Sequence, residues 1–217
     1  MAYGAPQVWN EPNINFWTGT QADYFRLFAE AALALKRVSP RLRVGGPATA
    51  TGAGEGPYIE ALRAFCRKEG VPLDFISSHV YSSTPFDHNI NDVGEVRERL
   101  QLIRTAAADM PLLITEFGSS YKTGLQNHTT ATCHDTHEAA SYLARAFDEA
   151  TALGNPYNLT LLSYWAISDI MEEEGFPATN ASFAGNFGLT NPCGAGLTRP
   201  AGPCTASGGA MHLLLSY

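Results

Sequence analysis

Short apolar runs alternate with stretches of helical period along this chain, and that alternation restricts the fold more than any other feature. Gln7–Asn10, Leu42–Pro47, Phe75–Tyr81, Leu112–Phe117 and Leu159–Ile167 read as strands. Between them, Thr20 to Val38 places Tyr24, Phe28, Ala31, Leu35 and Val38 on one stripe, with Pro40 just past its end. Pro57 to Lys68 has proline in its first turn and Gly70 beyond its last. Val93 to Ala108 and Thr136 to Leu153 follow the same pattern, the latter stopped by Gly154 and Pro156, and Ala206 to Tyr217 suggests a last helix. Near-continuously apolar strands separated by helices imply a parallel sheet covered by an outer helical layer, the pattern of an α/β fold. No internal repeat or linker interrupts residues 1–217, so a single domain is expected.

The bulk properties narrow the function. With 217 residues, 45% hydrophobic and 16% charged, the chain has enough apolar mass for a sizeable core and too much for disorder. A net charge of −7 and a pI near 5.3 argue against a nucleic-acid partner. No uncharged apolar run approaches the ~18 residues of a membrane span. The first residues, Met1 to Pro6, lack the pattern of a secretory leader, which leans the expected location towards the cytoplasm. Cys66 falls in a helical pattern as a small core residue, while Cys193 and Cys204 flank a Gly/Pro-rich loop with room for a disulfide. Chance would supply about one or two sequons, so those at Asn127, Asn158 and Asn180 barely bear on secretion. Cys133, His134 and His137 have spacing that a metal could use, but Asp135-Thr136 at a helix start explains the segment as a cap.

Chemistry-bearing residues gather where the strands end. Asn10 and Glu11 close the first strand, His79 and Tyr81 the third, Glu116 the fourth, and Trp165, Asp169, Glu172 and Glu173 follow the fifth. In barrels of alternating strands and helices that face carries the active site. Glu11 and Glu116 are far apart in the chain, so only folding can bring them together. Two facing carboxylates are the minimum apparatus for breaking a glycosidic bond.

Taken together, VWNEPNINFW (Val8–Trp17), VGGPAT (Val44–Thr49), SSHVY (Ser77–Tyr81), ITEFGSSY (Ile114–Tyr121), HDT before a helix, and YWAISDIMEEEGFP followed by FGLTN resemble glycoside hydrolase family 39, most closely its β-xylosidases. The motifs occur in the family's order and cover nearly the whole chain. The resemblance implies a retaining β-glycosidase on a TIM barrel. Glu11 would be the acid/base, Glu116 the nucleophile, and Asn10 a ligand of the sugar 2-OH. His79 and Tyr81 would orient Glu116 and the sugar. Trp165 would form a flat apolar floor, Glu172 or Glu173 would accept from sugar hydroxyls, and Phe16 and Trp17 would line the leaving-group side. Read alone, His79 and Trp165 fit a barrel core equally well, and the Glu172–Glu174 run a solvated turn. No cofactor and no metal are implied, and two carboxylates at retaining distance should not both ionise cheaply.

The resemblance begins at what would be the fourth strand of the barrel, so the expected fold is a partial (β/α) barrel of about five parallel strands, the C-terminal part of an eightfold one. Five strands do not close a small barrel. Open edges invite association, so a homo-oligomer is expected. An incomplete sugar pocket should be weakly active and unselective among β-xylosides and β-glucosides; the alternatives are a non-catalytic, carbohydrate-binding barrel remnant, or a fragment that works only beside a separate chain bearing the missing strands.

Overall fold

Among the described residues of the computed structural model, four helices and four strands alternate strictly: α1 (Gln21–Val38), β1 (Gly45–Thr49), α2 (Glu55–Glu69), β2 (Phe75–Tyr81), α3 (Gly94–Ala107), β3 (Leu112–Gly118), α4 (His137–Ala150) and β4 (Leu159–Tyr164). The structure describes residues 4–52, 54–81, 93–118, 137–152 and 154–165. The strands lie side by side in sequence order and run parallel. The expected helix at Ala206 to Tyr217, the Cys193–Cys204 pair, Cys133, His134, and the sequons at Asn127 and Asn180 lie outside the described residues. Among the described residues no helix is long and apolar enough to cross a membrane.

The first expected strand is corrected. Gln7–Asn10 supplies only an isolated parallel bridge, Gln7 to Gly45. Its continuation is lost because Trp9 (φ 69°) and Glu11 (φ 47°) adopt left-handed backbone, which bends the chain out of the extended form. The strand expected at Leu42–Pro47 is shifted to Gly45–Thr49. Leu42 turns back to bond Ser39, and Val44 docks on Asp74: its N–H donates to the Asp74 carboxylate at 2.8 Å and its C=O accepts the Asp74 N–H at 2.8 Å. Gly45 permits the pairing that follows, since a Cβ there would lie 2.4 Å from the Phe75 ring and carbonyl.

The chain divides into two compact units. The first comprises Met1–Val80, Val96–Phe117 and Ala150–Ser163. Its core is built on Tyr24, Phe28 and Ala32 of α1 and Leu62 and Cys66 of α2, with Val8, Val44 and Val71 beneath them. The Tyr24 hydroxyl donates to the Val8 carbonyl at 3.0 Å, which ties the first segment to α1. Helix α1 starts with a reciprocal cap: Thr20 Oγ1 accepts the Asp23 N–H, and Asp23 accepts the Thr20 N–H. The Thr20 hydroxyl, which donates to Asp23 Oδ2 at 2.6 Å, then the Thr20 N–H and Arg26, hold the Asp23 carboxyl at about 2, well below its ordinary value. Helix α2 ends on Gly70 in left-handed conformation, as the sequence suggests. Burial pushes the Cys66 thiol up to about 12, so it packs as an inert apolar group.

The second unit comprises Tyr81–Glu95, Gly118–Glu149 and Tyr164–Tyr217. Tyr142, Leu143 and Ala146 of α4 are buried. The Tyr81 ring lies against Gly118, where a Cβ would come within 2.9 Å of it.

Candidate active site

His79 is fully buried near the end of β2, and its Nδ1 meets two carboxylates. Glu11 Oε1 lies 2.6 Å from it and Glu116 Oε2 3.3 Å. One oxygen of each glutamate and a ring nitrogen of His79 all lie within 4.8 Å of one another. Both carboxylates keep a little solvent access, with side chains 12% and 17% exposed. His79 Nε2 is buried without a hydrogen-bond partner. That favours the tautomer with the proton on Nδ1, between the carboxylates, because a buried N–H left unpaired is costly.

Different structures hold the three groups. His79 and Glu116 stand on strands of one sheet. Glu11 has no strand, and hydrogen bonds take the place of a ladder. Its N–H donates to the Ala48 carbonyl at 2.9 Å. Asn13, two residues on, clasps Ala50: its Nδ2 donates to the Ala50 carbonyl at 3.1 Å and its Oδ1 accepts the Ala50 N–H at 2.8 Å. Gln7 reaches the opposite wall, where its Oε1 accepts from Thr115 Oγ1 at 2.9 Å, while its Nε2 donates to the Trp9 carbonyl at 3.3 Å. Its side chain therefore links the backbone two residues before Glu11 to the residue just before Glu116.

Among the other expected residues, Asn10 is exposed on the same loop as Glu11. Phe16 is 58% exposed, while Trp17 is half-buried and wedged between Trp9 and Tyr24 with its indole N–H on the Thr20 carbonyl. Tyr81 is buried and Trp165 half-buried, both in the second unit. Glu172 and Glu173 lie outside the described residues. Gln7, Asn13, Ala48 and Thr115 escaped the sequence reading. Asn13, directly after the Glu11-Pro12 pair, carried the only usable signal, as an asparagine in a turn bonds nearby backbone readily.

A second buried carboxylate stands on the helix side of the sheet. Glu55, at the start of α2, accepts from Ser78 Oγ at 2.6 Å, and Ser78 and Thr49 hydroxyls lie 2.7 Å apart. Arg99 is 4.0 Å away. Burial raises the Glu55 pKa to about 7, against the opposing pull of Ser78 and Arg99. Ser78 and His79 point to opposite faces of β2, so Glu55 serves the sheet behind the site.

Glu11, His79 and Glu116 also form a set of ligand-type atoms that a divalent cation could bridge. In the Nδ1–H tautomer the His79 proton would point to Glu11 Oε1 at 2.6 Å, with Glu116 Oε2 3.3 Å from the same nitrogen.

Residues 5–202 match the family described as Glycosyl hydrolases family 39. The chain is 36% identical over 196 residues to a β-xylosidase of Caldicellulosiruptor saccharolyticus and 35% identical over 200 residues to one of Geobacillus stearothermophilus. These alignments take in 85% and 84% of the chain, and it spans 37% of the length of each relative. The crystal structure of a monomeric β-xylosidase from Caulobacter crescentus superposes with a TM-score of 0.67 at 30% identity, over 97% of this chain and 41% of that one. The four parallel strands and their helices thus match part of a family 39 TIM barrel.

Proposed function

Since the chain belongs to glycosyl hydrolase family 39, we propose that it forms the catalytic side of a retaining β-glycosidase acting on β-xylosides and related β-glycosides. The observation that carries this reading is that one carboxylate oxygen of Glu11 and one of Glu116 lie within 4.8 Å of each other. Retaining enzymes hold their carboxyl groups about 5–5.5 Å apart, inverting ones about 6.5–9.5 Å.

In the first step the Glu116 carboxylate attacks the anomeric carbon. The bond to the leaving oxygen breaks, and that oxygen takes the proton of Glu11. In the second step water attacks the same carbon and yields its proton to Glu11 as the Glu116 carboxylate departs. His79 donates to whichever carboxylate is charged. As Glu116 becomes an ester, the hydrogen bond gains value at Glu11, so one ring proton serves both half-reactions. By the family resemblance, Asn10 is assigned the sugar 2-OH, and Tyr81, Trp165 and either Glu172 or Glu173 are assigned further sugar contacts. Phe16 and Trp17 flank the leaving group.

Residues 1–217 are read as one domain, as the backbone passes repeatedly between the two units. Trp9 and Ile14 of the first segment are exposed apolar side chains, and a second copy of the chain is proposed to cover them. Light scattering at micromolar concentration tests this; a monodisperse monomer contradicts it.

For the reaction, the test is the first-formed sugar anomer, followed by proton NMR on a panel of nitrophenyl glycosides. Retention of the β configuration is expected, with weak selectivity among sugars. Inversion, or no turnover of any β-glycoside, would overturn the proposal.

A further inference from the structure

The Glu11 backbone is anchored through one residue of β1. The register with β2 passes from Pro47 opposite Ser77 to Thr49 opposite Ser78, which leaves Ala48 as an unmatched bulge. Ala48 adopts left-handed backbone at φ 54°, the conformation that lets a strand re-aim its peptide groups. Its C=O accepts the Glu11 N–H at 2.9 Å. Its N–H donates to Ser77 Oγ at 3.1 Å. Ala48 and Ser77 are both fully buried, so water offers no substitute partner. Ser77 and His79 are two apart on β2 and share a face of the sheet. One strand therefore presents both the histidine that touches the carboxylates and the hydroxyl that secures the bulge.

We propose that Ser77 is a positioning residue for the acid/base: its hydroxyl holds the Ala48 bulge, and the bulge carbonyl aims the backbone of Glu11. This rests on Glu11 being the acid/base. Without the hydroxyl, the buried Ala48 N–H must turn to find another acceptor. The carbonyl on the same residue turns with it, and the Glu11 carboxyl moves off the leaving oxygen. Displacements of this kind far exceed in rate what they cost in stability.

The effect has a signature that simple loss of fold lacks. A poor leaving group needs the Glu11 proton, whereas a dinitrophenolate departs almost without it. For Ser77→Ala we expect kcat/KM to fall ~10-fold or more with phenyl β-xyloside and to change little with the dinitrophenyl glycoside. Ser77→Thr, which keeps the hydroxyl, should restore the wild-type ratio. The Glu11 amide should exchange with deuterium ~10-fold faster in Ser77→Ala, with β3 amides unchanged. Equal losses for both leaving groups, or wild-type exchange at Glu11, would overturn the proposal. Should Ser77→Ala fail to fold, Ser77→Cys is read instead: its thiol fills the site but accepts the Ala48 N–H poorly, so the selective loss should persist, and a wild-type ratio counts against the idea. A wild-type chain inactive on both glycosides would remove the functional reading, while the exchange measurement still decides whether Ser77 positions Glu11.

Discussion

The two carboxylates of the site are held in different ways. Glu116 stands on β3, inside a parallel sheet whose ladder fixes it along with its neighbours. Glu11 stands on an irregular segment with two left-handed residues, held by single hydrogen bonds to Ala48, from Asn13 to Ala50 and from Thr115 to Gln7. A nucleophile needs one fixed line of approach to the anomeric carbon. An acid/base must serve first the leaving group and then water, from nearly the same place. A ladder gives rigidity through many weak contacts, so no single substitution next to Glu116 should dissolve it. The clasp around Glu11 concentrates the same task in a few bonds, and each should be sensitive to substitution.

The largest expected effect separates the two roles. Glu116→Ala should lose on the order of 10⁴-fold or more in kcat/KM with every leaving group. Glu11→Ala should lose about 10²–10⁴-fold with phenyl glycosides and far less with dinitrophenyl ones. Equal leaving-group dependence in the two variants would erase the distinction. The sheet side is tested next through Glu55. Its pKa is raised by burial from 4.5 to about 7, so the folded protein binds this proton more tightly than the unfolded chain. The resulting stability is fully present below about pH 4.5 and is lost as pH rises through about 7. Glu55→Gln should flatten that fall, which amounts to ~3 kcal/mol on this shift, as measured by denaturant titration from pH 4 to 8; an unchanged slope would remove Glu55 as its source. On the clasp side, Asn13→Ala should cost ~1–2 kcal/mol of stability by stranding the N–H and C=O of buried Ala50, with the larger activity loss on poor leaving groups. The smallest effect is expected far from the site, where Thr20→Ala removes the α1 cap and costs ~1 kcal/mol, with no change in leaving-group dependence.

The same contrast explains what the sequence discloses. The strands at Phe75–Tyr81 and Leu112–Phe117 are legible because apolar residues dominate both ends of each short run, and the structure places β2 and β3 within a residue of those bounds. Gly70 marks the end of α2 for an equally local reason. Glu116 is legible as a carboxylate near a strand end, whereas the strand expected to carry Glu11 is absent; the roles proposed for both come from the family motifs around them. The clasp is not legible. Ala48 has no propensity for left-handed backbone, and nothing adjacent to it announces that the hydroxyl of Ser77 will take its amide. The bridge from Gln7 to Thr115 joins residues from opposite ends of the first unit, and neither has a local pattern that calls for the other. The first segment resembles a strand in sequence for the same reason: Val8 is apolar and buried, but the turn at Trp9 and Glu11 is imposed by partners elsewhere in the fold.

The convergence of Glu11 and Glu116 on one sugar is tested most directly by trapping. A fluorinated β-xyloside that glycosylates the nucleophile quickly and releases it slowly should add one sugar to the protein, and peptide mass spectrometry should find it on Glu116. Glu11→Ala should still be labelled when the donor carries an activated leaving group. A sugar attached to any other residue, or no adduct under conditions in which the chain turns over aryl xylosides, would contradict the assignment.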